Sequence, residues 1–179
     1  MWSNTKKSTG RSPCRKRSNP MLYLLSAMLC VGLIALDQWV KWWTVTTIPY
    51  TVPMGDPLPF IPHILGLNHA HNTGAAWSIL SEHTWILTAV SAVVALVILV
   101  VLARRRIRHP FGVITLFVVL AGAVGNLIDR VRLGYVVDTF QTLFMDFPIF
   151  NVADICVVCG GIAFCIYYAF FYEKWEKKS

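Results

Sequence analysis

Residues 150–171 read FNVADICVVCGGIAFCIYYAFF, an apolar run that opens with an asparagine and an aspartate. At about 1.5 Å per residue in a helix, the apolar part approaches the roughly 30 Å thickness of a bilayer's hydrocarbon core. Ionisable residues in membrane spans are costly and usually face protein or mark a function. The stretch therefore predicts a membrane-spanning helix with a polar site, Asn151 and Asp154, at its start.

Three further windows of similar length and apolarity precede this one. The four windows are residues 21–43, 85–103, 111–128 and 154–171. The chain has 179 residues, 56% of them hydrophobic and 14% charged, which is too apolar for an ordinary soluble domain. We predict an all-α membrane protein, a four-transmembrane-helix bundle formed by one domain over residues 20–172. Residues 1–19 are expected to be a basic, disordered tail and residues 173–179 a second short tail.

The basic residues indicate how the helices are oriented. Thirteen of the sixteen lie in residues 1–20, in the loop after the second window and in the C-terminal tail, whereas the loop 44–83 has none. By the positive-inside rule, both termini are cytoplasmic and the loop 44–83 lies outside. Because topology accounts for the positive charge, we expect no nucleic-acid partner. Residues 44–70 are rich in Thr, Val, Ile and Pro with a turn signal at MGDP, which predicts short strands on the outer surface.

This topology brings polar residues from three helices to one depth near the outer face. They are Asp37 and Lys41 in the first helix, Asn126, Asp129 and Arg130 in the third, and Asn151 and Asp154 in the fourth. Asp37 and Lys41 have the i,i+4 spacing of an ion pair, and Asp129 can meet Arg130 or a neighbouring helix. Asp138 and Asp154 have no basic residue at helical spacing, although Arg130 and Arg132 could approach them in three dimensions. Two carboxylates without counterions share one proton near neutral pH, which is sufficient for peptide hydrolysis by an aspartic pair.

Each motif also has a purely structural interpretation. Asn151 and Asp154 could form only a helix cap, and Asp37 and Lys41 only a structural ion pair. Asn126, Asp129 and Arg130 could form a packing network. Asn72 and Gly74 could mark a loop, and His69 and His71 could be loop residues rather than metal ligands. The chain has neither the H-E-x-x-H motif of zinc proteases nor the G-x-S-x-G motif of serine hydrolases. We therefore predict no metal and no cofactor. A proton- or ion-coupled transporter and a non-enzymatic assembly factor are the alternatives to an enzyme.

Five motifs in order and spacing resemble the bacterial lipoprotein signal peptidase (signal peptidase II) family. They are LDQWVK at residues 36–41, HNTGAAWS at 71–78, GAVGNLIDR at 122–130, GYVVDTF at 134–140 and FNVADI at 150–155. Single motifs of this kind are weak, but five in register on a four-span chain are specific. The resemblance covers about residues 20–172. Thr139 departs from it, because an apolar residue is common after the first aspartate.

The resemblance implies that Asp138 and Asp154 are catalytic aspartates. It also implies substrate-binding or supporting roles for Asn72, Gly74, Ala76, Asn126, Arg130 and Asn151, with Asp37, Lys41 and Asp129 holding the site. The implied substrate is a diacylglyceryl-modified prolipoprotein cut just before its lipid-modified cysteine, with membrane lipid around the enzyme and a globomycin-type compound as inhibitor. A small extracytoplasmic β-rich cradle between helices 1 and 2, and a location in the bacterial cytoplasmic (inner) membrane, follow from the same resemblance.

Overall fold

Four long apolar helices form the protein. The computed structural model describes residues 19–51, 55–74 and 84–173. The helices are α1 (Pro20–Thr47), α2 (Thr84–Ala103), α3 (Pro110–Leu133) and α4 (Val152–Phe170). Each is long and apolar enough to cross a membrane, which confirms the predicted four-helix bundle.

Two helices extend past the apolar windows that predicted them. α1 continues to Thr47 and α3 to Leu133, so the polar residues expected at the edges of the spans lie inside regular helix. Helix continues there because these side chains find partners within the protein. α3 ends at Gly134, whose φ of 81° is a left-handed conformation that favours glycine, and whose N–H donates to the Arg130 carbonyl.

α3 is the central helix of the bundle. Of its most apolar window 56% is buried, against 17%, 17% and 22% in α1, α2 and α4. Its glycines allow this, because a Cβ on Gly122 would collide with backbone atoms of Ala153 and Val157 in α4. Gly122 therefore lets the backbones of α3 and α4 approach closely, as small residues do where membrane helices pack.

A small antiparallel sheet accompanies the helices. Its strands are β1 (Leu58–Ile61), β2 (Leu65–Asn72) and β3 (Val136–Thr142), in the order β1-β2-β3. β1 and β2 belong to the loop between α1 and α2, as predicted. β3 comes from the connection between α3 and α4, where the sequence analysis identified no strand. It pairs with β2 and places Asp138 opposite Ala70.

Several contacts anchor the sheet to the helix ends. The hydroxyl oxygens of Thr44 in α1 and Thr139 in β3 are 2.8 Å apart, and both residues are fully buried. The backbone N–H groups of Thr139 and Phe140 both donate to the carbonyl of Phe150, just before α4 begins. β3 is therefore fixed against both α1 and the start of α4, and the position of Asp138 follows from these contacts.

Candidate active site

Asp138 and Asp154 enter one cavity from two different elements. Asp138 lies in the middle of β3 and is 2% exposed. Asp154 is the third residue of α4, where its carboxylate accepts the backbone N–H of Asn151 at 3.1 Å. Both aspartates line a cavity of about 430 Å³. A strand and a helix that are adjacent in sequence but differ in direction thus bring the two carboxylates together.

Asn151 connects the two carboxylates. Its side-chain oxygen accepts the backbone N–H of Asp154 at 2.9 Å, which completes a capping box at the start of α4. Its side-chain nitrogen donates to Asp138 Oδ1 at 2.7 Å and to Asn126 Oδ1 at 3.2 Å. The helix-cap interpretation of Asn151 and Asp154 is therefore confirmed, and the same side chain also contacts the second aspartate.

Two more amides hold the remaining carboxylate oxygens. Asn126 of α3 donates to Asp154 Oδ1 at 2.8 Å. Asn72, at the end of β2, donates to Asp138 Oδ2 at 2.8 Å, and its own oxygen accepts the N–H of Gly74 at 2.9 Å. Every oxygen of the two carboxylates thus accepts a hydrogen bond from a neutral group. Among the described residues, neither carboxylate forms an ion pair.

A buried charge cluster lies behind this pair. Lys41 Nζ is 2.9 Å from Asp37 Oδ2, 3.0 Å from Asp129 Oδ2 and 3.1 Å from Asn126 Oδ1. Asp37 also accepts the backbone N–H of Ala153 at 2.8 Å, and Asp129 accepts that of Val137 at 3.1 Å. Asp129 thus pairs with the neighbouring helix rather than with Arg130. The ion-pair interpretation of Asp37 and Lys41 is correct, and the cluster also holds the residue before each cavity aspartate.

The cavity has one polar and one apolar side. Its polar side is formed by Asn72, Gly74, Asn126, Arg130, Asp138 and Asp154. The apolar side comes from residues 147–150 and from Ile155 and Val158 of α4. Arg130 donates to the Ser91 hydroxyl at 3.3 Å, while its buried Nε has no hydrogen-bond partner in the described structure. Such a cavity suits a ligand that has both an apolar part and hydrogen-bonding groups.

The environment of Asp138 favours its protonated form. Burial, followed by the nearby charge of Asp154, raises the pKa of the Asp138 carboxyl to about 7. Hydrogen bonds from Asn72 and Asn151 and the charge of Lys41 oppose this increase. A carboxyl group with this pKa holds or releases a proton near neutral pH, as a general acid or base must.

All the sequence-predicted site residues but one are found in this assembly. Ala76 lies outside the described residues. His69 and His71 lie in β2 rather than in a loop. They do not join the site: their Nε2 atoms are 3.2 Å apart, and His69 Nδ1 contacts the carbonyl of Ile48 at 2.9 Å. Within the described ranges, no group of three or more His, Cys, Asp or Glu side chains could hold a metal ion.

Contributors of two kinds were not predicted from the sequence. Gln38 donates to both Asp37 and Asp129, and Thr44 contacts Thr139 beside Asp138. A polar residue next to Asp37 inside an apolar helix was a usable signal for Gln38. Residues 147–150 form part of the apolar side of the cavity, but no sequence pattern predicts this. Their role depends on the tertiary contacts that place this segment next to the two aspartates.

Comparisons with known proteins agree on one family. A family model described as Signal peptidase (SPase) II matches residues 29–171. The chain is 46% identical to a lipoprotein signal peptidase of Enterococcus faecalis (strain ATCC 700802 / V583), over 82% of this chain and 87% of the relative. Those of Lactococcus lactis subsp. cremoris (strain MG1363) and Clostridioides difficile (strain 630) are 42% and 37% identical, over 82% and 86% of this chain and 94% and 99% of the relatives.

Two solved structures share the fold. Both are described as a bacterial membrane enzyme studied by the in meso method, and both are 31% identical to this chain. One has a TM-score of 0.74 and covers 89% of this chain and 93% of its own. The other has a TM-score of 0.73 and covers 87% and 97%.

Four apolar helices with a polar cavity define a multi-pass bacterial membrane enzyme. The chain belongs to the signal peptidase II family, as the family model and the relatives show. It is thus a protease of lipoprotein processing that removes signal peptides.

Proposed function

We propose that this protein is an intramembrane aspartic endopeptidase with Asp138 and Asp154 as its catalytic residues. Its substrate is a diacylglyceryl-modified prolipoprotein, which it cuts just before the lipid-modified cysteine. The observation that carries the proposal is the convergence of two carboxylates on Asn151 and on one cavity, held by neutral donors. Two neighbouring carboxyl groups that form no direct ion pair within the described residues share one proton, so one acts as a base while the other acts as an acid.

With one shared proton, the two carboxyl groups can hydrolyse the scissile peptide bond. The ionised carboxylate takes a proton from a water molecule, whose oxygen attacks the scissile carbonyl carbon. The protonated carboxyl polarises the carbonyl oxygen. Proton transfer to the amide nitrogen then lets the C–N bond break, which releases the signal peptide and a new amino terminus. Asn72, Asn126 and Asn151 keep the carboxylates oriented throughout.

The other site residues bind substrate or support the site. Arg130 lies on the cavity wall, where its guanidinium group can donate to substrate carbonyl oxygens. Asn72 and Gly74 form the polar edge beside β2, where substrate backbone can approach. The supporting role of Ala76, which lies outside the described residues, rests on the family resemblance alone. The apolar side of the cavity suits the apolar part of the signal peptide and the diacylglyceryl group.

The lipid on the substrate requires a site at the membrane surface. Each buried CH₂ group contributes about 0.8 kcal/mol to membrane binding, so the modified cysteine stays near the lipid headgroups. We place the catalytic pair at that depth near the outer face of the cytoplasmic membrane, with both termini in the cytoplasm. Residues 1–19 and 173–179 are then cytoplasmic tails of a single domain.

The proposal is tested by cleavage of two matched substrates. Detergent-solubilised protein is incubated with one prolipoprotein sequence, with and without its diacylglyceryl group, and the products are identified by mass spectrometry. We expect cleavage of the lipidated form alone, just before the modified cysteine, and inhibition by the cyclic depsipeptide globomycin. Equal cleavage of both forms, or cleavage elsewhere, would overturn the assigned substrate. Binding without cleavage would favour the assembly-factor alternative.

A further inference from the structure

Gln38 occupies a position between the two carboxylates of the buried charge cluster. Its side-chain nitrogen is 3.2 Å from Asp37 Oδ2, 3.1 Å from Asp129 Oδ1 and 3.3 Å from the carbonyl oxygen of Gly125. All three neighbours are acceptors, so the amide nitrogen faces them rather than the amide oxygen. Gln38 is absent from the wall of the catalytic cavity.

The donors available to this cluster explain why an amide is needed there. Lys41 uses its three N–H groups on Asp37, Asp129 and Asn126. In the part of the chain that the structure describes, it is the sole cation in ion-pair contact with the two carboxylates. One ammonium group therefore faces two buried carboxylates, and an uncompensated buried charge is costly. The Gln38 amide supplies the donors that a second cation would otherwise provide.

The same two carboxylates hold both catalytic segments. Asp37 accepts the N–H of Ala153, which directly precedes Asp154. Asp129 accepts the N–H of Val137, which directly precedes Asp138. Gln38 connects Asp37 to Asp129, and through them it connects the start of α4 to β3. The relative position of the two catalytic backbones depends on this connection.

We propose that Gln38 is a positioning residue for the catalytic pair, an inference that rests on the proposed function. Its amide holds Asp37 and Asp129 at the correct spacing through hydrogen bonds to both, and thereby fixes the distance between Asp138 and Asp154. A displacement on the order of 1 Å at reacting groups costs about 10²-fold in rate. Loss of the amide therefore lowers kcat about 10- to 100-fold and leaves KM unchanged, because Gln38 does not touch the cavity.

Two variants with the shape of glutamine separate positioning from stability. Gln38→Glu replaces the N–H donors of the amide with a third carboxylate at neutral pH. At low pH, one proton taken up by the three carboxylates provides an O–H donor again. The ratio of its kcat to the wild-type kcat should therefore rise as the pH falls from about 8 to about 5. Gln38→Met has no donor at any pH, so its ratio should stay low and constant. Rates are normalised to folded protein from size-exclusion chromatography.

Gln141→Glu is the matched control, because Gln141 accepts from Asn68 and lies outside the charge cluster. We expect this control to show the wild-type rate and pH profile. A wild-type kcat ratio for Gln38→Glu at every pH would overturn the positioning role. So would loss of folded protein in both Gln38 variants, because the role requires reduced activity in a folded enzyme.

The proposed function is checked in the same experiment. Wild type and Asp138→Asn are run in parallel on the lipidated substrate. Failure of the wild type to cleave, or cleavage by Asp138→Asn, would remove the aspartic mechanism itself. A cleaving wild type and an inactive Asp138→Asn, together with an unaffected Gln38→Glu, would remove the positioning role alone.

Discussion

Asp138 should destabilise the folded protein at neutral and alkaline pH, so replacing it by asparagine should increase stability there. Its pKa rises from 3.8 to about 7 in the fold. A difference of about 3 units corresponds to about 4 kcal/mol between the two protonation states. Because the folded-state pKa is the higher one, Asp138 costs no stability below about pH 4, costs progressively more as the pH rises to about 7, and costs a constant amount above that.

The substitution also has a cost that the structure identifies. Asp138 accepts hydrogen bonds from both Asn72 and Asn151, whereas an asparagine has one oxygen and must turn its NH₂ group toward one of these donors. Losing one such bond costs about 1–2 kcal/mol. The net expectation for Asp138→Asn is a gain of about 2–3 kcal/mol above pH 7 and a loss of about 1 kcal/mol near pH 4.

Thermal unfolding of detergent-solubilised protein across this pH range measures the effect. A gain of 2–3 kcal/mol corresponds to an increase of about 5–10 °C in Tm for a protein of this size. Asp146→Asn is the control, because Asp146 is exposed in the same connection between β3 and α4. The reasoning is refuted if Asp138→Asn and wild type differ by the same amount at every pH, or if the variant is less stable at pH 8.

Three further predictions concern the cluster, the helix contact and the pH profile. Lys41→Ala leaves two buried carboxylates without their cation and should lower the free energy of unfolding by about 3–5 kcal/mol, measured as lower yield and Tm. A variant with wild-type stability and no activity would instead give Lys41 a direct catalytic role. Gly122→Ala should lower both Tm and activity because its methyl group meets the α4 backbone, whereas Gly161→Ala has open space and should change neither. The pKa of Asp138 predicts that kcat falls above about pH 7, where the pair loses its shared proton; a rate that climbs toward pH 9 would exclude this.

The helices were predictable because their signal is local. Apolar windows of sufficient length identified all four, and the polar residues at one end of three of them pointed to the position of the site. Hydropathy underestimated the length of α3, whose window ends just before Asp129, whereas the window for α1 already included Asp37. These residues remain helical because Lys41 and Gln38 satisfy them inside the protein.

The parts that were missed depend on contacts between distant segments. β3 forms because β2 is available to pair with it, and Asn72 lies 66 residues from the aspartate that it contacts. Gln38 and Asp129 are 91 residues apart. The second role of Asn151, as a donor to Asp138, requires that β3 and the start of α4 lie side by side. No local pattern in the sequence specifies these distances.

Single-turnover release of the signal peptide from a diacylglyceryl prolipoprotein tests the catalytic pair most directly. The comparison is between wild type, Asp138→Asn, Asp154→Asn and the double variant, each verified as folded. If the two carboxylates act as one unit, each single variant loses activity by a factor of about 10² to 10⁴ or more, and the double variant is no worse than either. Near-wild-type release by either single variant would show that the pair is not the catalytic machinery.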